Sequence, residues 1–312
     1  MIIDVHGHVT HPDLFKRFPM PPALADIDGM LEQKAAHGVE LTIVGSPVGF
    51  GTMMPVPGLD NYAQPLDQLK SFHAWLADTV EGHAGRLAAY AYTNPFGGRE
   101  LLEETARTVR EGGFVGLIVN SSVRGEYLDS EGADDFFAMA AELDVPVFLH
   151  PGAEPVGSDS VHDVRLVEQV SRFFDVAVSL ATLVVSGRLE QYPDLKVIAA
   201  TAGGGISTVF NRVDLAQRAR PPQEGVVRRE LSRSPSDYLR GVYVDTANQN
   251  PASHLANLEL MGPERMLFGT DSPPMATPLE AAISMVDDLP ISGEAKRDIF
   301  EDNARRLFAL DG

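Results

Sequence analysis

Eight short apolar or β-branched segments recur along the chain with helical stretches between them, and this alternation constrains the fold more than any other feature. The predicted strands are Ile2–His6, Val39–Ser46, Arg86–Thr93, Phe114–Asn120, Val145–His150, Lys196–Thr201, Val242–Thr246 and Arg265–Thr270. Most are continuous apolar runs, which are typical of strands covered on both faces. Strands alternating with helices predict an α/β fold with a parallel sheet, and eight of them favour the closed (β/α)8 TIM barrel. An open doubly wound sheet is the structural alternative.

The length and the connecting segments fit one barrel. The sequence has 312 residues, and a barrel of this type takes about 250 residues plus insertions. We expect residues 1–312 to form one domain with insertions near 46–65, 151–163 and 219–235. The first two follow strands two and five, at the face where barrels build active sites. The third follows a helix, so we expect it to serve packing or assembly. A homodimer is compatible with this expectation.

Composition narrows the class of protein. There are 25 basic and 44 acidic residues, a formal net charge of −19, which disfavours nucleic acid and anionic membranes as partners. The sequence has no cysteine, which excludes disulfides, thiol nucleophiles and cysteine-ligated metals, and fits a cytoplasmic location. No segment approaches the roughly 18 apolar residues of a membrane span, and the first residues lack a signal-peptide pattern.

The strongest chemical signal lies at the end of strand one, in Asp4-Val5-His6-Gly7-His8. Side chains alternate along a strand, so His6 and His8 point to the same face, about 7 Å apart along the chain. Inside a barrel that face is the lumen, and two imidazoles presented together usually share a divalent ion. Two histidines hydrogen-bonded to backbone at a strand end are the simpler interpretation.

Two further residues extend this pair. His150 ends the buried strand Val145–His150, which places it on the rim of the active face. Asp271 closes strand eight, and closure of the barrel brings that strand beside strand one. A buried carboxylate there needs a cation or hydrogen-bond donors. The alternatives are a core histidine for His150 and a helix N-cap for Asp271, since Pro273 and Pro274 follow it closely.

Several motifs spread along the chain then form a recognisable pattern. They are the paired histidines, Gly116 through Leu128, Asp134 through Phe137, Phe148 through Pro151, Ala202 through Gly205 with Arg212, Arg265 through Asp271, and Asn303 through Phe308. Together they resemble the amidohydrolase superfamily, in the branch related to aminocarboxymuconate semialdehyde decarboxylase, and the resemblance runs nearly end to end.

The resemblance implies an amidohydrolase-like barrel with one Zn²⁺ or Mn²⁺ ion, zinc being favoured, on His6, His8, His150 and Asp271. Binuclear members of the superfamily carry a bridging lysine on strand four, where this chain ends in Asn120, so a single metal is implied. Characterised members of the branch are mostly non-oxidative decarboxylases of aromatic or muconate-type acids. A small carboxylated substrate is therefore the expected partner.

Strand six departs from the family pattern. The branch normally has a proton-transferring histidine directly before the glycine-rich turn, and here Thr201 occupies that position. A threonine hydroxyl does not titrate near neutral pH, so it can orient water but cannot act as general acid or base. Thr201 is retained as a catalytic candidate with Asp271. His162 and Glu154, after strand five, are candidates for a relocated proton relay, or else ordinary loop residues.

Three residues are candidates for contacting the substrate. Arg124, after strand four, can hold a carboxylate by a bidentate contact, although a surface ion pair explains it equally well. Phe50 can line the pocket or simply pack the loop after strand two. Asn120 ends strand four on the active face.

Three functions fit these residues. The first is a metal-dependent lyase that removes CO2 from a small aromatic or unsaturated acid. The second keeps the site but uses metal-bound hydroxide for hydrolysis or hydration. The third is a metal-bearing barrel without catalysis, for which Thr201 is the reason.

Overall fold

A parallel eight-stranded sheet rolls into a nearly closed barrel. In the computed structural model, which describes residues 1–54, 56, 59–218, 229–274 and 277–310, neighbouring strands pair in chain order from the first to the eighth. The barrel strands are β1 (Ile2–His8), β2 (Val39–Gly45), β3 (Leu87–Tyr92), β4 (Gly116–Asn120), β5 (Val147–His150), β6 (Val197–Ala199), β7 (Tyr243–Asp245) and β8 (Met266–Leu267). The Val5 N–H donates to the Phe268 carbonyl over 2.9 Å and links the two ends of the sheet. The predicted (β/α)8 barrel is confirmed.

Helices cover the outside of the barrel. The α-helices are Ile27–Ala35, Leu66–Gly82, Arg99–Gly112, Asp134–Leu143, Val164–Leu166, Arg172–Val185, Arg188–Gln191, Ala200–Gly203, Phe210–Arg218, Pro235–Leu239, Pro251–Met261, Leu279–Asp287, Gly293–Arg297 and Asn303–Phe308. Short 3₁₀ turns span Pro12–Lys16, Pro22–Leu24, Glu131–Ala133, Ile206–Val209 and Pro263–Arg265, and π-helical turns span Val167–Ser171 and Asp298–Asp302. A two-stranded hairpin pairs Ser122–Val123 with Glu126–Tyr127. Among the described residues, no helix combines the length and apolar character needed to cross a membrane.

Buried aromatic side chains fill the barrel beneath its carboxyl-terminal face. Tyr90 and Phe148 stack with ring centroids 5.1 Å apart, and the Tyr90 hydroxyl donates to the Val5 carbonyl over 2.9 Å. The His6 ring lies 4.8 Å from the Phe148 ring, edge to face. Aromatic side chains therefore fill the barrel interior below the histidines, and the His6 ring packs against them.

The strands β6 and β8 end two and three residues before their predicted ends, and the backbone explains both. The ladder of β6 stops at Ala199 because Thr201 and Ala202 adopt left-handed conformations, with φ of 54° and 56°. The ladder of β8 stops at Leu267, because the N–H of the next residue, Phe268, donates to the Ile299 carbonyl over 2.9 Å. Left-handed φ is costly for residues with a Cβ, above all for a β-branched one such as Thr201. The chain thus turns sharply where it passes the candidate site.

The segments predicted as insertions at 46–65 and 151–163 follow the carboxyl ends of β2 and β5. The third predicted insertion, 219–235, lies largely outside the described residues, because only 229–235 belong to them.

Candidate metal centre

Three histidines and one aspartate converge at the carboxyl-terminal face of the barrel. His6, His8, His150 and Asp271 each offer one potential ligand atom, and these atoms all lie within 4.8 Å of one another. The Nε2 atoms of His6 and His8 are 3.1 Å apart, and Asp271 Oδ1 lies 3.0 Å from His8 Nε2 and 3.3 Å from His6 Nε2. Atoms that share a cation at about 2.1 Å have this spacing.

The alternation along β1 produces the pairing, as the sequence predicts. Gly7 lies between the two histidines and faces the opposite side of the strand, where an added Cβ would lie 2.7 Å from Thr42 Cγ2. On the lumen side, Gly269 serves a similar purpose, because a Cβ there would lie 3.0 Å from the Cβ of His6. Two glycines therefore make room for the close approach of β1 to its neighbours.

His8 and His150 are each oriented by a hydrogen bond that the ring nitrogen Nδ1 donates, on the side of the ring away from Nε2. Nδ1 of His8 donates to the Gly45 carbonyl over 3.0 Å, and Nδ1 of His150 donates to the Pro151 carbonyl over 2.9 Å. Because a carbonyl only accepts, these bonds fix the tautomer and leave Nε2 with a lone pair. The three imidazole planes are close to perpendicular, at 85° to 89°.

Asp245 completes the arrangement from the end of β7. Its Oδ2 accepts from His6 Nδ1 over 2.6 Å, and its Oδ1 accepts from the Ala202 N–H over 2.8 Å. Both side chains are inaccessible to solvent. A carboxylate behind a ligating histidine orients the ring and makes it a better donor.

The electrostatics favour a cation at the point of convergence. Burial alone lowers the pKa of His6, but Asp271 and the hydrogen bond to Asp245 outweigh it and raise that pKa. Burial, together with His8 and His6, holds the pKa of His150 well below its usual range. The side chain of Asp271 is 22% exposed. Desolvation raises its pKa, yet the histidines, His6 foremost, bring that pKa well below the ordinary value. Lone pairs facing one another beside an ionised carboxylate fit a bound divalent ion.

A large cavity opens directly above these residues. Its volume is about 930 Å³, and it is lined by His8, His150, Asp271, Thr201 and residues of the loops after β2 and β5. Its wall also includes Glu168 and Arg172, which the sequence interpretation did not single out. The size suits a small-molecule site.

Thr201 lies on the cavity wall, but its hydroxyl cannot act as a general acid or base near neutral pH. Its hydroxyl donates to the Ala200 carbonyl over 2.8 Å, and its position follows β6 as the sequence predicts. His162 and Glu154 are both exposed in the segment after β5, and neither belongs to the cavity wall among the described residues. A relay through either of them stays a prediction.

None of the three residues predicted to contact the substrate lines this cavity, among the residues that the structure describes. Arg124 is 51% exposed, forms an ion pair with Asp60 and lies over the Tyr62 ring. The Phe50 ring packs 5.0 Å from that of His11. Asn120 is buried, with its amide donating to the Pro47 carbonyl over 2.9 Å.

A parallel barrel with polar and titratable side chains gathered at the carboxyl ends of its strands has the architecture of a barrel enzyme. The amidohydrolase family model matches residues 3–310, so the chain belongs to the amidohydrolase family of enzymes.

Curated relatives support the assignment. The chain is 28% identical over 305 residues to a gamma-resorcylate decarboxylase of a Rhizobium strain, covering 93% of this chain and 89% of the relative. It is 26% identical over 210 residues to a 2-amino-3-carboxymuconate-6-semialdehyde decarboxylase of Dictyostelium discoideum. That match covers 67% of this chain and only 57% of the relative.

A solved structure shows the same fold. A dihydroxybenzoic acid decarboxylase from Polaromonas, crystallised with manganese and the inhibitor 2-nitroresorcinol, superposes with a TM-score of 0.78 at 24% identity. The superposition covers 99% of this chain and 97% of the other.

Proposed function

We propose that this protein is a metal-dependent, non-oxidative decarboxylase of a small aromatic or unsaturated carboxylic acid. The observation that carries the proposal is the convergence of three histidines and Asp271, within 4.8 Å, at the base of a cavity. The decarboxylases named among its relatives favour a carboxy-lyase over a hydrolase. A small carboxylated molecule is the substrate this implies.

The ligand set fits a single divalent ion held by His6, His8, His150 and Asp271. Three imidazoles and one carboxylate suit Zn²⁺, which we favour, while Mn²⁺ is the ion reported for the Polaromonas structure. When bound, such an ion polarises a substrate oxygen and stabilises the negative charge that develops as the carbon–carbon bond breaks.

The protein must also deliver a proton. Loss of CO2 breaks the bond to the carboxyl carbon and leaves an electron pair on the neighbouring carbon, which then takes up one proton. Thr201 cannot supply it, because a hydroxyl does not titrate near neutral pH. Among the described residues of the cavity wall, Asp271 and Glu168 are the carboxylates. We assign the relay of this proton to Asp271, because its carboxylate lies beside the histidines where the reacting carboxylate would bind. Since Asp271 is ionised, it would first take up the proton from water or from an acidic group of the substrate and then pass it to the carbon.

A direct test measures CO2 release from a panel of hydroxybenzoates and unsaturated acids by protein loaded with Zn²⁺ or Mn²⁺. In D2O, we expect one deuterium in the product at the carbon that lost the carboxyl group. Hydrolysis of esters or lactones without CO2 release would instead indicate the hydrolase. A fully loaded protein that turns over neither panel would indicate a barrel without catalysis.

A further inference from the structure

A partly buried arginine lies on the wall of the cavity that holds the candidate metal centre. Arg172 begins the helix Arg172–Val185, directly after the π-helical turn Val167–Ser171. Its side chain is 17% exposed and lines the same cavity as His8, His150 and Asp271. Helical π-turns frequently occur at functional sites, and here the turn directly precedes the cationic side chain.

The guanidinium group of Arg172 has few partners. One terminal nitrogen donates to the Met53 carbonyl over 2.8 Å, and the other lies 4.0 Å from Glu168 Oε1, beyond hydrogen-bond distance. Its Nε is buried and has no hydrogen-bond partner among the described residues. A guanidinium carries five N–H donors, and the Met53 carbonyl is the one hydrogen-bond acceptor found for them among the described residues.

The charge of Arg172 is poorly compensated for a partly buried group. Burial lowers the pKa of Arg172, although Glu168 and Asp271 act in the opposite direction. Arg172 is also the only lysine or arginine among the described residues of the cavity wall. In a chain of net charge −19, an anionic substrate needs such a local cation to overcome repulsion.

We propose that Arg172 binds a second anionic group of the substrate, so that the preferred substrates are aromatic or unsaturated acids with two such groups. The metal centre takes the carboxylate that is lost, and the guanidinium takes the other by a charge-assisted, bidentate contact. This inference rests on the proposed function and specifies its substrate class.

The test uses two ligands that differ in one charge, and chromatography after each titration verifies that both are recovered intact. Isophthalate has two carboxylates, and 3-carbamoylbenzoate replaces one of them with a neutral amide of the same shape. Calorimetric titration of the metal-loaded protein should show about 10- to 100-fold tighter binding of isophthalate, the range of a charge-assisted contact. Arg172→Met should abolish that difference and leave the affinity for 3-carbamoylbenzoate within about threefold.

Two further variants control the test. Arg165→Met removes an arginine on the preceding turn that is 83% exposed and paired with Asp163, and it should leave both affinities unchanged. Arg172→Lys keeps the charge without the bidentate geometry and should retain part of the preference. Melting temperature and metal content are measured for every variant, so that a folding defect is recognised.

The outcomes separate this inference from the proposed function. Equal binding of both ligands by the parent protein, or an equal weakening of both in Arg172→Met, overturns the role of Arg172. An Arg172-dependent preference for isophthalate supports that role even if no acid in the panel releases CO2, a result that would contradict only the decarboxylase proposal.

Discussion

Asp245 Oδ2 lies 2.6 Å from Nδ1 of His6, and both side chains are shielded from solvent. The contact joins the ends of β7 and β1 and fixes the imidazole whose Nε2 faces His8 and Asp271. Gly269 allows it, because an added Cβ there would lie 2.9 Å from the Cβ of Asp245. The geometry of the candidate metal centre thus depends on a residue outside the ligand set.

We expect Asp245→Asn to lower metal affinity about 10- to 100-fold, the usual effect of losing a hydrogen-bonded carboxylate behind a ligand. Competition with a chromogenic chelator measures it. The control is Asp175→Asn, a buried carboxylate that accepts from Ser122 and Tyr127 away from the centre. Equal metal affinity in Asp245→Asn and the parent would contradict the orienting role.

Removal of the metal should lower the melting temperature without unfolding the barrel. A bound ion stabilises the folded state by about 4 kcal/mol when free metal is 1,000 times its dissociation constant. The apolar interior around Tyr90 and Phe148 is buried independently of any ion. Circular dichroism during chelation and metal return checks this. Loss of secondary structure on chelation would mean that the ion is structural.

Stability should fall in mild acid partly because of His73, which is buried and bonded through Nε2 to the Tyr92 carbonyl. Burial lowers the pKa of His73 to about 4 from 6.5. Above pH 6.5, His73 is neutral in the folded and in the unfolded protein. Between pH 6.5 and about 4, His73 becomes protonated in the unfolded chain but stays neutral in the folded one. This contribution to the free energy of unfolding therefore declines between about pH 6.5 and 4, by up to about 3 kcal/mol.

Urea denaturation at several pH values compares the parent with His73→Gln, whose amide can still donate to Tyr92. The variant lacks this titration, so its free energy of unfolding should fall less steeply across the same pH window. Parallel curves for the two proteins would show that His73 does not contribute.

Thr201→Ala should reduce kcat less than tenfold, because the hydroxyl donates to the neighbouring Ala200 carbonyl and does not titrate. A group that transfers protons usually contributes about 10²- to 10⁴-fold. The rate of CO2 release, with metal content verified, decides the point. A loss in the larger range would place Thr201 in the proton path.

The barrel and the clustering of the four residues are predictable from the sequence, because both follow from strict periodicities. Alternation along β1 puts His6 and His8 on one face, and barrel closure carries Asp271 to them. Both are backbone properties that survive differences in side-chain packing.

The cavity wall was not predictable in the same way. Glu168 and Arg172 are four residues apart on a helical segment, a spacing that suggests an exposed ion pair. Their place in the cavity depends on the π-helical turn and on the Met53 loop, neither of which has a periodic signal. The position of Arg124 after β4 suggests a substrate contact, yet Arg124 forms an ion pair with Asp60 at the surface.

The central claim is that these four side chains hold one divalent ion. Elemental analysis of purified protein, beside the His6→Ala/His8→Ala double variant, tests it most directly. The account predicts close to one Zn²⁺ or Mn²⁺ per chain in the parent and almost none in the double variant, with both proteins folded by circular dichroism. Full metal content in the folded double variant would contradict it.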